Sequence, residues 1–282
     1  MTVLPTGTIE LVDLALREDI GDGDHSALAT IPEDARGAAR LLVKGDGVLA
    51  GVELAREIVQ RFDPDLHLRI FLEDGARVRA GDVAFTLMGP ARSILTIERL
   101  VLNFMQRLSG VATMTDRYVQ TVADTGCKVL DTRKTTPGMR ALEKWAVRIG
   151  GGHNHRSGLF DMIMIKDNHA DLCGGISQAI ASAHAYMHRT SRTLPIEVET
   201  RNMKEVEQVL VTGGVQRIML DNFTTEQLKT AVDRIGGRYE TEASGGITLN
   251  TIRSYAETGV DMISVGALTH SVTSLDLSLK AL

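Results

Sequence analysis

Between Asp131 and His169 the chain reads DTRKTTPGMRALEKWAVRIGGGHNHRSGLFDMIMIKDNH, which sets Arg133, Lys134, His155, Arg156 and Lys166 around glycine-rich turns. This block holds seven Lys/Arg against four Asp/Glu, whereas the whole chain holds 31 against 36. A cationic cleft in an acidic protein draws small anions, because Coulomb attraction strengthens where protein walls exclude water. Phosphates and carboxylates are the natural ligands. The plain alternative is solvated surface charge, the ordinary state of Lys and Arg. Here, however, the charges gather at strand ends and glycine turns instead of spreading at the i,i+4 spacing of a surface helix.

Arg133, Arg156 and Lys166 can together pair with two adjacent carboxylates, and the planar fork of arginine would fix orientation as well as charge. Lys166 ends the apolar run MIMIK, so a desolvated Schiff-base lysine is a rival use, although general-acid and ion-pair roles explain it equally well. Glu197 and Glu199 alternate along IEVET and share one face, where a buried carboxylate must be paired or bind a cation. Asp221 ends the next apolar run, RIMLD. Ser244-Gly245-Gly246 and Val265-Gly266-Ala267 follow the last two strand-like runs, where α/β barrels commonly hold phosphate on backbone N–H groups. His153 and His155 lack a third nitrogen or sulfur ligand at zinc spacing. Asp19, Asp22 and Asp24 miss the calcium-loop pattern and read as turn chemistry.

The elements that must position these groups are six short runs, KVLD, MIMIK, IEVET, RIMLD, ETEAS and MISV, alternating with helical segments near 138–149, 176–188, 203–210, 225–235 and 249–257. Each run carries its polar or glycine cluster at the C-terminal end. One common functional rim predicts a closed six-stranded α/β barrel in preference to an open sheet with a single switch point. Upstream, a helix over 9–18 stops at Gly21, and residues 39–90 read as strands and tight turns around a helix at 52–62. A helix over 92–108 is apolar nearly all round, so Glu98, Arg99 and Asn103 read there as an internal ion pair and a satisfied core amide. The expected organisation is α/β: an N-terminal α+β sandwich domain over 1–110, a barrel carrying the site over 111–267, and a tail, 268–282, packing near the first domain.

At 282 residues and 43% hydrophobic, the chain can bury a sizeable core. No window approaches the ~18 consecutive apolar residues of a membrane helix, and the N-terminus lacks a signal-peptide pattern, so a cytoplasmic location is expected. A pI near 5.9 and 4% aromatic residues speak against a nucleic-acid surface. Cys127 and Cys173, without CxxC spacing, read as small buried residues.

DTRKTTPG, GGHNHR and IKDNH, in this order, resemble the signature of the quinolinate phosphoribosyltransferase family, also called nicotinate-nucleotide pyrophosphorylase (carboxylating). The resemblance extends with fewer motifs across nearly the whole chain, including TIERLVLNFMQRLSGVAT. It implies phosphoribosyl transfer from phosphoribosyl pyrophosphate (PRPP) to quinolinate with decarboxylation, in NAD biosynthesis. It implies that Arg133, His155, Arg156 and Lys166 line the quinolinate pocket, joined by Arg99 from the partner subunit of a homodimer. PRPP would meet Lys134, Glu199, Asp221, Ser244, Gly245, Gly246, Gly266 and His270. Mg2+ would sit near Glu199 and Asp221, mainly through PRPP, with Lys166, Glu199 and Asp221 as the catalytic groups. His153 and Asn154 would hold the loop, and His169 suits a structural hydrogen bond as well as a ligand contact. A molybdenum-transport-associated paralogue shares the DTRKT and HR core, and a non-catalytic phosphate or carboxylate sensor could use the same pocket. EKWAVRIGGGHNHR and IKDNH resemble the quinolinate enzyme more closely.

Overall fold

A computed structural model describes residues 3–282. The chain forms two compact units: the first comprises the chain to Asp116 with Thr135–Gly151 and Leu268–Leu282, and the second comprises Arg117–Lys134 and Gly152–Ala267. To the end of its longest helix, the elements are α1 (Thr8–Ile20), α2 (His25–Thr30), β1 (Arg36–Val43), β2 (Gly47–Val48), α3 (Val52–Phe62), β3 (His67–Ile70), β4 (Arg77–Val78), β5 (Val83–Pro90) and α4 (Ala91–Val122). There follow β6 (Lys128–Leu130), α5 (Arg140–Ile149), β7 (Ile163–Ile165), α6 (Asp167–Cys173), α7 (Ile176–Thr190), β8 (Ile196–Thr200), α8 (Met203–Thr212) and β9 (Arg217–Asp221). The last are α9 (Thr225–Ile235), β10 (Glu240–Ser244), α10 (Ile252–Ala256), β11 (Met262–Ser264), α11 (Ala267–His270) and β12 (Leu277–Ala281).

In the first unit an antiparallel sheet runs in the order β12-β1-β5-β3, so the C-terminal strand forms one of its edges, pairing Leu277 with Val43 and Ala281 with Ala39. Helix α3 buries Leu54, Ala55, Ile58 and Val59, an apolar stripe at helical spacing. Helix α1 ends at Gly21, whose positive φ suits a helix stop. Asp24 opens α2: its Oδ1 accepts the Ala27 N–H at 3.0 Å, which is capping chemistry. Helix α4 runs far past the expected end near Leu108, because Gly110 does not break it: the missing side chain lets the helix approach Thr273 closely. Its surroundings also differ from the expectation. Leu95, Arg99 and Asn103, spaced by four, form an exposed stripe, so neither the arginine nor the amide is internal.

Helix α5 belongs to this first unit, so the division by contacts departs from a single boundary at residue 111. The physical reason is local. Glu143 of α5, fully buried, accepts from Arg107 of α4 at 2.7 Å, and Gly150 lies against Ala112 and Thr115.

The second unit is a six-stranded parallel sheet in the order β6-β11-β10-β9-β8-β7. All six strands lie within the runs marked out by sequence. Val129, Ile165, Val198, Ile218, Leu220, Ala243 and Ile263 bury apolar side chains along it. The end strands β6 and β7 share no ladder among the described residues; His153 bridges Leu130 in parallel along the edge of β6. Helix α6 is an addition to the sequence reading. DNHADLC shows no apolar periodicity, and the helix starts because the His169 Nδ1 accepts the Lys166 N–H at 2.9 Å. Cys173, at its end, is exposed, contrary to the expectation that both cysteines are buried; Cys127 is buried. No helix among the described residues is long and apolar enough to cross a membrane.

Candidate active site

Arg133 follows β6, the chain from His153 to Arg156 runs beside the C-terminal end of that strand, and Lys166 follows β7. Asp131, fully buried just past β6, accepts the His155 N–H on Oδ1 at 2.9 Å and the Asn154 side-chain amide on Oδ2 at 2.5 Å. The GGHNHR loop is thereby lashed to the DTRK segment. The Arg156 N–H donates to the His155 Nδ1 at 2.6 Å, and the Arg156 guanidinium reaches the Met162 carbonyl at 3.4 Å. Asp161 closes the loop, accepting from the N–H groups of Ser157 at 2.7 Å and Gly158 at 3.0 Å. Burial, and then the charge of nearby Arg133, press the pKa of Arg156 downward. Two half-buried guanidinium groups close enough to oppose each other form a natural seat for a bound anion.

Just past β7, the Lys166 Nζ lies 2.7 Å from the Glu199 Oε2. Lys166 is exposed and Glu199 buried, so this is an ion pair at a pocket mouth and not the desolvated amine of a Schiff-base site. On the neighbouring strand, Asp221 accepts from the Ser244 hydroxyl on Oδ1 at 2.5 Å and from the Asn222 amide on Oδ2 at 2.6 Å. Asn222 takes a left-handed φ of 57°, which turns its amide back onto Asp221. Gly245 makes this possible, since a Cβ there would collide with the Asn222 side chain. Gly245 and Gly246 have φ of 96° and 62°, and glycine turns of this kind offer backbone N–H groups to an anion. Gly266 follows β11 on the same sheet, and Lys134 is exposed beyond β6.

Below the rim, inward-facing groups of β8, β9 and β10 form a buried charge cluster. The His155 Nε2 stands 2.9 Å from the Glu197 Oε2 and 3.3 Å from the Glu242 Oε2. The Arg217 Nη1 is 2.9 Å from the Glu242 Oε2 and 4.0 Å from the Glu197 Oε2. Burial opposes charge on His155, but the two carboxylates outweigh it and raise its pKa to about 9. Burial and the Glu242 charge raise Glu197, whereas His155 and Arg217 overcome burial to lower Glu242. His155, Glu197 and Glu242 could in principle hold a metal, their ligand atoms lying within 4.8 Å of one another, but the Arg217 guanidinium already supplies a cation to the same carboxylates. Arg217, Glu242 and Asn222 were not singled out by sequence. A usable signal was Glu240 and Glu242 alternating on ETEAS as Glu197 and Glu199 do on IEVET.

Of the expected site residues, Arg133, Lys134, His155, Arg156, Lys166, Glu199, Asp221, Ser244, Gly245, Gly246 and Gly266 all belong to the second unit. Arg99 and His270 belong to the first. Arg99 is exposed on α4, and His270 is exposed with its Nδ1 2.6 Å from the Ser271 Oγ.

Known proteins were then compared with the chain. The family model for the quinolinate phosphoribosyl transferase C-terminal domain matches residues 111–280, and that for the N-terminal domain matches residues 24–109. A nicotinate-nucleotide pyrophosphorylase [carboxylating], chloroplastic, of Oryza sativa subsp. japonica is 48% identical over 96% of this chain and 76% of its own length. A probable nicotinate-nucleotide pyrophosphorylase [carboxylating] of Bacillus subtilis is 42% identical over 93% of this chain and 89% of its own. Among solved structures, NadC from Streptococcus pyogenes superposes with a TM-score of 0.94 at 40% identity, covering 100% of this chain and 99% of that one. With both domain models matched and a fold shared with close relatives, the chain belongs to the quinolinate phosphoribosyltransferase family.

Proposed function

We propose that the protein transfers the phosphoribosyl group of PRPP to quinolinate and, with loss of CO2, forms nicotinate mononucleotide and pyrophosphate for NAD synthesis in the cytoplasm. The observation that carries this reading is the opposed pair Arg133 and Arg156, which suits two vicinal carboxylates on a flat ring.

Glu199 and Asp221, at the mouths of adjacent strands, then face the ribose. As pyrophosphate departs, C1′ gains positive charge, and two fixed carboxylates stabilise it without reorganising. Asp221 is suited to this because Ser244 and Asn222 hold both its oxygens in place. Lys134 supports the departing pyrophosphate, and the amides of Gly245, Gly246 and Gly266 receive the 5′-phosphate together with His270. The quinolinate nitrogen attacks C1′ and becomes quaternary. Loss of the adjacent carboxylate as CO2 leaves an electron pair on ring carbon, which Lys166 stabilises or protonates. Glu199 holds the Lys166 Nζ at 2.7 Å.

Oxygen donors such as Glu199 and Asp221 fit Mg2+ held mainly by PRPP oxygens, since the contact of Glu199 with Lys166 uses Oε2 and leaves Oε1. When bound, Mg2+ neutralises charge on the leaving pyrophosphate. We further place Arg99 in the quinolinate pocket of a partner subunit, a reading supported by the exposed Leu95, Arg99 and Asn103 stripe. Initial rates with quinolinate and with nicotinate, each with PRPP and Mg2+, test the reading. Turnover of quinolinate alone supports it, and binding of quinolinate without turnover sinks it in favour of a sensor.

A further inference from the structure

His155 belongs to the cationic block, yet neither of its ring nitrogens is turned to a ligand. Nδ1 accepts the Arg156 N–H at 2.6 Å, and Nε2 stands against Glu197 at 2.9 Å and Glu242 at 3.3 Å. The ring is a strut between the buried charge cluster and the backbone of Arg156. We propose that Glu197, Arg217 and Glu242 are positioning residues that hold His155 with its Nδ1 unprotonated, so that the ring fixes the backbone of Arg156 and aims that arginine at the anionic substrate. The inference deepens the proposed function by assigning the groups that set the dicarboxylate clamp, and it rests on that reading for the identity of the substrate.

A nitrogen that accepts an N–H must carry a lone pair, so the Arg156 contact requires the ring proton on Nε2. The charged groups facing the ring are Glu197 from β8, Arg217 from β9 and Glu242 from β10, while Asp131, just past β6, takes the backbone N–H of His155. Arg217 pairs with Glu242 at 2.9 Å and with the exposed Glu240 at 3.1 Å. Beside a neutral imidazole, an ionised Glu197 would be offset only by cations engaged elsewhere, Arg217 at 4.0 Å and the charge of Arg156, which is costly in a buried site. One additional proton shared by His155 and Glu197 relieves that cost, and the raised proton affinity of both expresses that single proton. The lone pair required at Nδ1 puts it on Glu197. A protonated acid on β8 and an ionised one on β10 thus orient one imidazole from below.

This assignment predicts an asymmetry that simple packing would not produce. Gln replaces a neutral acid well and an ionised one badly. Glu197→Gln should therefore keep the quinolinate KM within about threefold of wild type, whereas Glu197→Ala and Glu242→Gln should each raise it by about tenfold or more, the first by removing the acid that meets the ring and the second by removing a buried charge partner. The kcat at saturating quinolinate and the KM for PRPP should move by less than about threefold in all three, because only uniform substrate binding is lost. Equal effects of Gln at 197 and 242, or a fall in kcat with the quinolinate KM unchanged, would overturn the assignment.

The decisive readout needs no variant to fold as wild type. In the intact protein labelled with 15N-histidine, the His155 ring at neutral pH should show one protonated nitrogen, Nε2, and one bare nitrogen, Nδ1, the signal being assigned by its loss in His155→Gln. Two protonated ring nitrogens would overturn the proposal whatever the kinetics show. If wild type fails to turn over quinolinate, the functional reading falls, but the ring spectrum still decides the role of the cluster.

Discussion

The charge of Arg133 lowers the proton affinity of Arg156, and in the proposed function a doubly anionic ligand sits between the two. Either substitution, Arg133→Ala or Arg156→Ala, should weaken quinolinate binding by ~2–5 kcal/mol, the range for truncating one side of a buried charge pair, with PRPP binding little changed. Calorimetry with each ligand checks this, and unchanged quinolinate affinity would remove the clamp. The two thiols supply a prediction from burial. Burial, and secondarily the Asp261 charge, push the Cys127 thiol up to about 12, so its reactive thiolate is scarce at pH 8, while Cys173 is exposed. A disulfide reagent should titrate one thiol per native chain rapidly and the second only after unfolding; two fast thiols would show that Cys127 is accessible. At this scale the cluster of cations was legible, because seven of them and several glycine turns fall within one short stretch. Their partners were not. Glu242 meets Arg217, and Asn222 locks Asp221, through strand register and a left-handed turn that neither spacing nor composition displays.

At the scale of elements, the six parallel strands were readable because each is a short apolar run ending in a polar or glycine cluster. Helix α6 was not, since its start depends on one side-chain contact between His169 and the Lys166 backbone. The buried face assigned to α4 failed for a related reason: its apolar residues outnumber those one face can hold, and only packing shows that the Leu95, Arg99, Asn103 stripe faces out. The turn after β10 gives the sharpest test of an element. Gly245→Ala would force a side chain into a φ of 96° and against Asn222. Strain of the left-handed kind costs about 1–2 kcal/mol before any clash. The variant should unfold at lower urea and show a raised KM for PRPP, with quinolinate affinity nearly unchanged. A wild-type KM for PRPP would mean that the turn does not receive the phosphate.

At the scale of the whole molecule, the proposed place of Arg99 in a partner's pocket requires an assembly in which one subunit completes the site of another. Arg99→Ala and Lys166→Ala should each be nearly inactive but folded. Mixed together, they should regain roughly a quarter of wild-type activity, because about half the dimers are hybrids and each hybrid keeps one intact site across an isologous interface. Hybrid dimers, verified by mass spectrometry of differently tagged chains, that stay inactive would return Arg99 to a structural role. All these arguments depend on the chemistry assigned to the rim of the parallel sheet. The measurement that tests it most directly is release of labelled CO2 from quinolinate carrying an isotope in the carboxylate next to the ring nitrogen. The account predicts CO2, nicotinate mononucleotide and pyrophosphate in equal amounts, each strictly dependent on PRPP. Nucleotide formed with the label retained, or no product at any concentration of PRPP and Mg2+, would contradict it.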